Sequence, residues 1–288
     1  MRTDNLTGIL MMIASMGLFA IEDSFIKLAS RTIPVGEILV FMGLAGILVF
    51  SALMLIKQEP FAPPEALSWT IFGRMMSEIV GRISYSLALA LGSMAVVAAV
   101  LQATPLAVTM GAALFFGEKV GIRRWLAILV GFAGVVIILR PGMEGFEPAA
   151  LLSLIGLFAL AFRDLATRAA PKTLSNRQLG LYGFIALVPS GLIMLLITGG
   201  WRNPLDGGWV YLLGMSVFGI GAYYLITAAM RVGEVAVVTP FRYSRILFAL
   251  IISVVVFSER LDSFTLLGAA LVIASGLYTM WRENRRQR

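Results

Sequence analysis

The chain has 288 residues, of which 59% are hydrophobic and 14% charged, with a formal net charge of +7. A soluble domain averages about 25% charged residues, so this composition excludes a water-soluble globular fold and gives a membrane protein. There is no cysteine and no histidine, which excludes disulfides, thiolate catalysis and histidine-ligated metals.

A hydrocarbon core of about 30 Å is crossed by about 20 apolar residues in a helix. Ten such spans are expected, at 6–28, 34–56, 67–91, 94–116, 122–139, 148–168, 178–198, 207–230, 234–257 and 263–281. The first has no small-residue cleavage site and is followed by many more, so it reads as a span and not as a signal peptide. Linkers as short as Leu91-Gly92-Ser93 and Arg231-Val232-Gly233 force neighbouring helices to run antiparallel. With the N-terminus inside, thirteen lysines and arginines fall on the cytoplasmic side and five (Lys27, Arg31, Arg140, Arg202 and Arg260) on the other. Basic residues accumulate on the cytoplasmic side, so both termini are expected there. This bias and the Arg-rich tail account for the net charge without a nucleic-acid partner.

One offset of 141 residues lays the first half over the second. It places Gly92 on Gly233, Ala95-Val96-Val97 on Ala236-Val237-Val238, Phe116 on Phe257 and Glu118 on Glu259. Upstream, Ala20 falls on Ala161, Asp23 on Asp164 and Lys27 on Arg168. The chain is read as two five-helix repeats, 1–141 and 142–288, the second ending in a basic tail. Five is odd, so the second repeat is inverted in the membrane, a common construction of secondary transporters.

Charged residues within spans carry most of the functional signal, because each costs about 2.5–3.5 kcal/mol at a helix centre unless it faces protein or water. In span 1, Glu22 and Asp23 precede Lys27, and in span 6 Arg163 and Asp164 precede Arg168. Asp23 with Lys27 and Asp164 with Arg168 have the favourable i, i+4 order, so both acids are expected to be structural. Span 3 carries Arg74, Glu78 and Arg82 on one face. These form either a self-satisfied ladder or a stripe with one arginine free for a carboxylate or phosphate. Span 9 carries Arg242, Tyr243 and Arg245 with no acid before Glu259. The two arginines either pair with Glu22, Asp23, Glu78 or Asp164, or bind substrate. Glu22 and Arg163 are equivalent positions of opposite charge, able to meet each other, act as gates or face substrate. Gln102, Thr104, Tyr85, Ser86, Tyr223 and Tyr224 are the polar neutral groups expected in the same space, where tyrosine rings would stack on a flat ligand. Pro105 and Pro240 are the expected hinges. Glu118 and Glu259 follow helices and are expected to be structural, each near the N-terminus of the next helix.

Ten spans, two five-helix copies and the Phe116-Gly117-Glu118 ending of span 4 resemble the EamA type of the drug/metabolite transporter superfamily. Ala127 and Gly134 after the first Glu, and Gly268 with Ser275 or Gly276 after the second, continue the match. The resemblance implies an inverted-repeat basket with a central cavity lined by spans 1, 3, 4, 6, 8 and 9. Spans 5 and 10 are then peripheral, the place for a homodimer contact. It also implies a carrier in a bacterial-type inner membrane, taking a small-molecule substrate and using neither cofactor nor metal. Two departures stand out: Ser258 replaces the Gly before the second Glu, and Ile246 lies where Pro105 has its counterpart. The breaks in spans 4 and 9 are therefore expected not to match.

Arg74, Arg82, Arg163, Arg242 and Arg245 outnumber Glu22, Asp23, Glu78 and Asp164 within the spans. That surplus favours an anionic or zwitterionic solute; the alternatives are a flat aromatic, flavin-like or cationic solute. Of other classes, an intramembrane protease of the zincin or Ser/His kind needs histidine. An aspartyl mechanism would have to use Asp23 and Asp164, each with a basic i+4 neighbour that holds it ionised. A purely structural membrane protein is the remaining alternative.

Overall fold

In the computed structural model the described residues are 2–117, 120–143, 146–198, 200–202, 208–232 and 235–287, and all regular structure among them is helical. Eight helices are continuous: α1 (Arg2–Ala29), α2 (Val35–Ile56), α3 (Trp69–Leu91), α6 (Ile122–Leu139), α7 (Ala150–Ala169), α8 (Asn176–Thr198), α9 (Trp209–Val232) and α12 (Ser263–Gln287). They coincide with the expected spans to within a few residues, except that α12 runs on past 281 into the Arg-rich tail.

Spans 4 and 9 are each in pieces. α4 (Met94–Leu101) and α5 (Thr104–Phe115) meet at a turn made by Gln102 and Ala103. α10 (Val235–Val238) passes through a 3-10 turn (Thr239–Tyr243) into α11 (Ser244–Val255). Pro105 sits at the start of α5 and Pro240 at the start of the 3-10 turn. A proline there sacrifices no helical donor, whereas inside a continuous helix it would strip a carbonyl of its partner. As expected, the breaks do not match: span 4 is interrupted at 102–103 and span 9 over Thr239–Tyr243, although regular helix resumes at Thr104 and at Ser244, within one residue of the 141-residue offset. The halves differ only in the approach, a two-residue turn in one and a 3-10 turn in the other.

α1 packs along α9, α3 along α7, α2 along α8, α6 along α12, and α4 against α11. Exchanging the halves turns the contact of span 1 with span 8 into that of span 6 with span 3, and maps every other pair onto itself. These are the contacts of a two-fold pseudosymmetric bundle, in which neither repeat packs as a separate body. Close approach is decisive where α6 crosses α12: a Cβ on Gly134 would lie 2.8 Å from the carbonyl oxygen of Gly268. Only glycine permits that contact. The small-residue faces of spans 5 and 10 are thus spent on each other within one chain.

Two apolar cores flank the interior, one around Met42, Phe50, Met94 and Phe184, the other around Leu106, Ile128, Leu157 and Val272. The outer surface is also apolar, with Leu48, Leu67 and Leu196 almost fully exposed. Among the described residues eight helical stretches are long and apolar enough to cross a membrane. The spans that fall outside this set are the third, with its three charges, and the ninth, broken and carrying two arginines. The protein is a multi-pass membrane protein.

Candidate functional site

Two charge clusters occupy the interior. In the first, Glu78 of α3 is 2% exposed. Its Oε1 accepts from Arg82 Nε at 2.9 Å, one turn along the same helix, and from Arg163 Nη1 of α7 at 3.4 Å. Arg163 also donates to Asp164 Oδ1, from Nε at 2.9 Å and Nη2 at 2.6 Å. Arg74 does not complete a ladder with Glu78: its Nε donates to Thr167 Oγ1 at 2.9 Å, and its buried Nη1 has no hydrogen-bond partner. The stripe on α3 is therefore largely satisfied, and by α7 as much as by itself.

The second cluster lies further along α1 and α3. Asp23 accepts from Arg245 Nη2 of α11 at 2.6 Å and from the hydroxyl of Tyr85. Arg245 Nη2 is also 3.1 Å from the Tyr85 hydroxyl oxygen, and its guanidinium lies over the Phe19 ring. Two expectations are corrected here. Asp23 pairs across the bundle and not with Lys27, and Asp164 pairs with Arg163 and not with Arg168. For Asp23 a tertiary partner outweighs the weak i, i+4 preference, worth about 0.2–0.5 kcal/mol in isolated helices, whereas Asp164 is taken by its immediate neighbour on α7.

Besides Arg74, two further interior charges make no ion pair among the described residues. Arg242, half-buried, makes no hydrogen bond or ion pair among the described residues through its side chain, although Asp164, Arg163 and Arg245 act on it electrostatically. Its carbonyl oxygen accepts from Gln102 Nε2 at 3.1 Å, which ties the break of span 4 to that of span 9. Glu22 is 3% exposed and is likewise unpaired among the described residues. It meets no Arg163.

Where α1 finishes, the bundle is latched by Glu259. Its carboxylate accepts from Lys27 Nζ at 3.0 Å, Ser93 Oγ at 2.7 Å, Met94 N at 3.0 Å and Ala95 N at 3.3 Å, and from the Ser253 hydroxyl. Lys27 also donates to the Gly92 carbonyl and sits over the Phe257 ring. Burial works to raise the Glu259 carboxyl, but these hydrogen bonds outweigh it and hold the group at about 2. This too is a correction: Glu259 caps α4 of the other repeat, while Asp262 caps α12 by accepting from Thr265 N at 2.9 Å. Ser93, an N-cap type just before an apolar run, was the available signal for this site. Glu118, the counterpart of Glu259, lies outside the described residues.

The tyrosines divide. Tyr85 joins the Asp23 cluster, and Tyr223 packs edge-on to Phe50 at 5.1 Å. Tyr243 is 5% exposed, with its hydroxyl against Gly276 of α12 and without a hydrogen-bond partner, and Arg242 acts on it electrostatically. Tyr224, 69% exposed, faces outward. Thr167 and Ser253 join the site without having been expected there.

Two successive matches to one family model, the EamA-like transporter family, cover residues 6–140 and 147–281. The chain belongs to the EamA-like transporter family. A riboflavin transporter of Vibrio cholerae is 31% identical over 195 residues, 66% of this EamA-family chain and 64% of the relative. The chain thus spans a little under two thirds of that relative's length. An S-adenosylmethionine uptake transporter of Rickettsia bellii is 23% identical over 71% of this chain and 70% of its own. A solved crystal structure matches 100% of this chain and 99% of its own with a TM-score of 0.63 at 19% identity, which shows that the fold is shared.

Proposed function

We propose that this EamA-family protein is a secondary carrier that moves a small organic solute across the inner membrane by alternating access, and that the solute presents an anionic group to Arg242. The observation that carries the reading is the pairing pattern. Arg82, Arg163 and Arg245 are each held by an acid and Arg74 by the Thr167 hydroxyl, while the Arg242 guanidinium makes no hydrogen bond or ion pair among the described residues. A planar guanidinium in a half-buried interior is suited to a carboxylate or phosphate. The excess of basic residues in one set of loops supports both termini at the cytoplasmic face, with the repeats dividing at 141 and 142. Glu259 then latches the outer end, and the halves rock about the breaks at Pro105 and Pro240. A homodimer, if formed, uses the outer faces of α6 and α12.

A second reading, a flat uncharged ring, is favoured by the relative named as a riboflavin transporter. One experiment separates the two. Purified protein is melted with riboflavin, S-adenosylmethionine, simple carboxylates and phosphorylated metabolites, in the wild type and in Arg242→Ala. A ligand at a hundred times its Kd stabilises the folded state by about 2.7 kcal/mol. Stabilisation by a carboxylate or phosphate compound that Arg242→Ala abolishes supports the first reading. Equal stabilisation of both proteins by riboflavin supports the second and removes Arg242 from recognition.

A further inference from the structure

Glu22 is the acid that the interior ion pairs leave over. Its side chain lies against the backbone of α9, where a Cβ on Gly219 would be 2.7 Å from Oε1. The other elements against α1 are α3, α4, α10, α11 and the 3-10 turn. α3 brings Arg82 and Tyr85, and α11 brings Arg245; Arg82 is committed to Glu78, and Arg245 and Tyr85 to Asp23. α4 and α10 contain no ionisable residue. The 3-10 turn contributes Arg242, which acts toward Asp164, Arg163 and Arg245, and Tyr243, which faces Gly276. The next residue on α1 is the negatively charged Asp23. An ionised carboxylate so placed is desolvated, unpaired and beside a like charge, and groups in that position neutralise themselves.

We propose that Glu22 is a proton-binding site, and that the protein exchanges this proton during its transport cycle. The coupling role rests on the carrier reading above; the protonation does not. Once ionised, Glu22 competes with Asp23 for Arg245 and with Glu78 for Arg82. Loss of the proton therefore loosens the two clusters that join α1 and α3 to α11 and α7, and the conformational change has a cause within the site.

The test is infrared spectroscopy of the purified, reconstituted protein at neutral pH. The wild type should show the C=O stretch of a protonated carboxyl group, lost in Glu22→Gln and shifted in Gly219→Ala, which presses a methyl on Oε1. Glutamine has the shape of the protonated acid, so that variant is expected to melt like the wild type. Identical carboxyl bands in wild type and Glu22→Gln overturn the proposal, as does a missing band together with a melting temperature that rises with Na⁺, which would make Glu22 a cation ligand. For coupling, proteoliposomes containing a pH dye are given riboflavin or S-adenosylmethionine. Proton movement with uptake in the wild type, and solute exchange without it in Glu22→Gln, supports the role. Uptake indifferent to a pH gradient overturns coupling. Uptake of neither probe counts against the carrier reading and the coupling with it, leaving the infrared band to decide the proton site.

Discussion

At the end of the bundle Glu259 receives five hydrogen bonds, from two serine hydroxyls, a lysine and the first backbone donors of α4; in the interior Glu22 receives none among the described residues. Both acids are withdrawn from bulk water, so burial alone does not decide how an acid behaves. A helix N-terminus supplies donors that have no other use, and a carboxylate set there stays charged and binds two repeats together. The cations nearest to Glu22, Arg82 and Arg245, already have partners, and a carboxylate set there is left to respond to its surroundings. The first arrangement makes a latch and the second makes a sensor.

The largest effect is expected from turning a paired interior acid into an unpaired one. Arg245→Ala removes the guanidinium that holds Asp23 and the Tyr85 hydroxyl. Breaking one side of a buried pair costs about 3–5 kcal/mol. A purified variant should therefore melt well below the wild type. An unchanged melting temperature would mean that Arg245 is free to bind solute and that the pairing is incidental.

At the latch, Glu259→Gln keeps the shape but loses the charge that attracts Lys27 and the α4 donors. Hydrogen bonds to charged groups contribute about 1.5–3 kcal/mol each, and glutamine retains part of that, so an intermediate loss of stability is expected. The acid limb of the pH profile gives a sharper reading. The folded-state carboxyl is depressed to about 2 from an ordinary 4.5, so its stabilisation is complete above pH 4.5 and disappears as pH falls through about 2. The wild type should lose melting temperature over that window, and Glu259→Gln should lose less. Equal acid sensitivity in the two proteins would remove Glu259 as the latch.

How far the sequence foretold this contrast depends on range. Hydropathy located the spans, because a membrane helix is defined by length and apolarity alone, and Pro105 and Pro240 marked the breaks, because a missing donor is local chemistry. The 141-residue offset was legible for the same reason: Glu118 and Glu259, or Phe116 and Phe257, are matched by position without knowledge of contacts. Partner choice was not legible. Asp23 has Lys27 one turn away, yet joins Arg245 at 222 residues' separation. Glu259 precedes α12, yet caps α4, because the chain turns back at Ser258 and directs the carboxylate toward the other repeat.

That turn supplies the smallest and most local prediction. Gly117 and Ser258 are equivalent under the repeat, and both have left-handed backbone, with φ of +65° and +53°. Glycine adopts this conformation freely, whereas serine strains its Cβ against the following carbonyl, at a cost of about 1–2 kcal/mol. Ser258 nonetheless holds it, and the five hydrogen bonds to Glu259, one residue on, offset the strain. Ser258→Gly should therefore raise the melting temperature slightly while leaving the acid limb in place, since the latch geometry is kept and only the strain is relieved. In the Glu259→Gln background, where the latch is weaker, the same substitution should do less good: a flexible glycine there has fewer contacts to direct it. A gain of the same size in both backgrounds would mean that the turn at Ser258 and the Glu259 latch act independently.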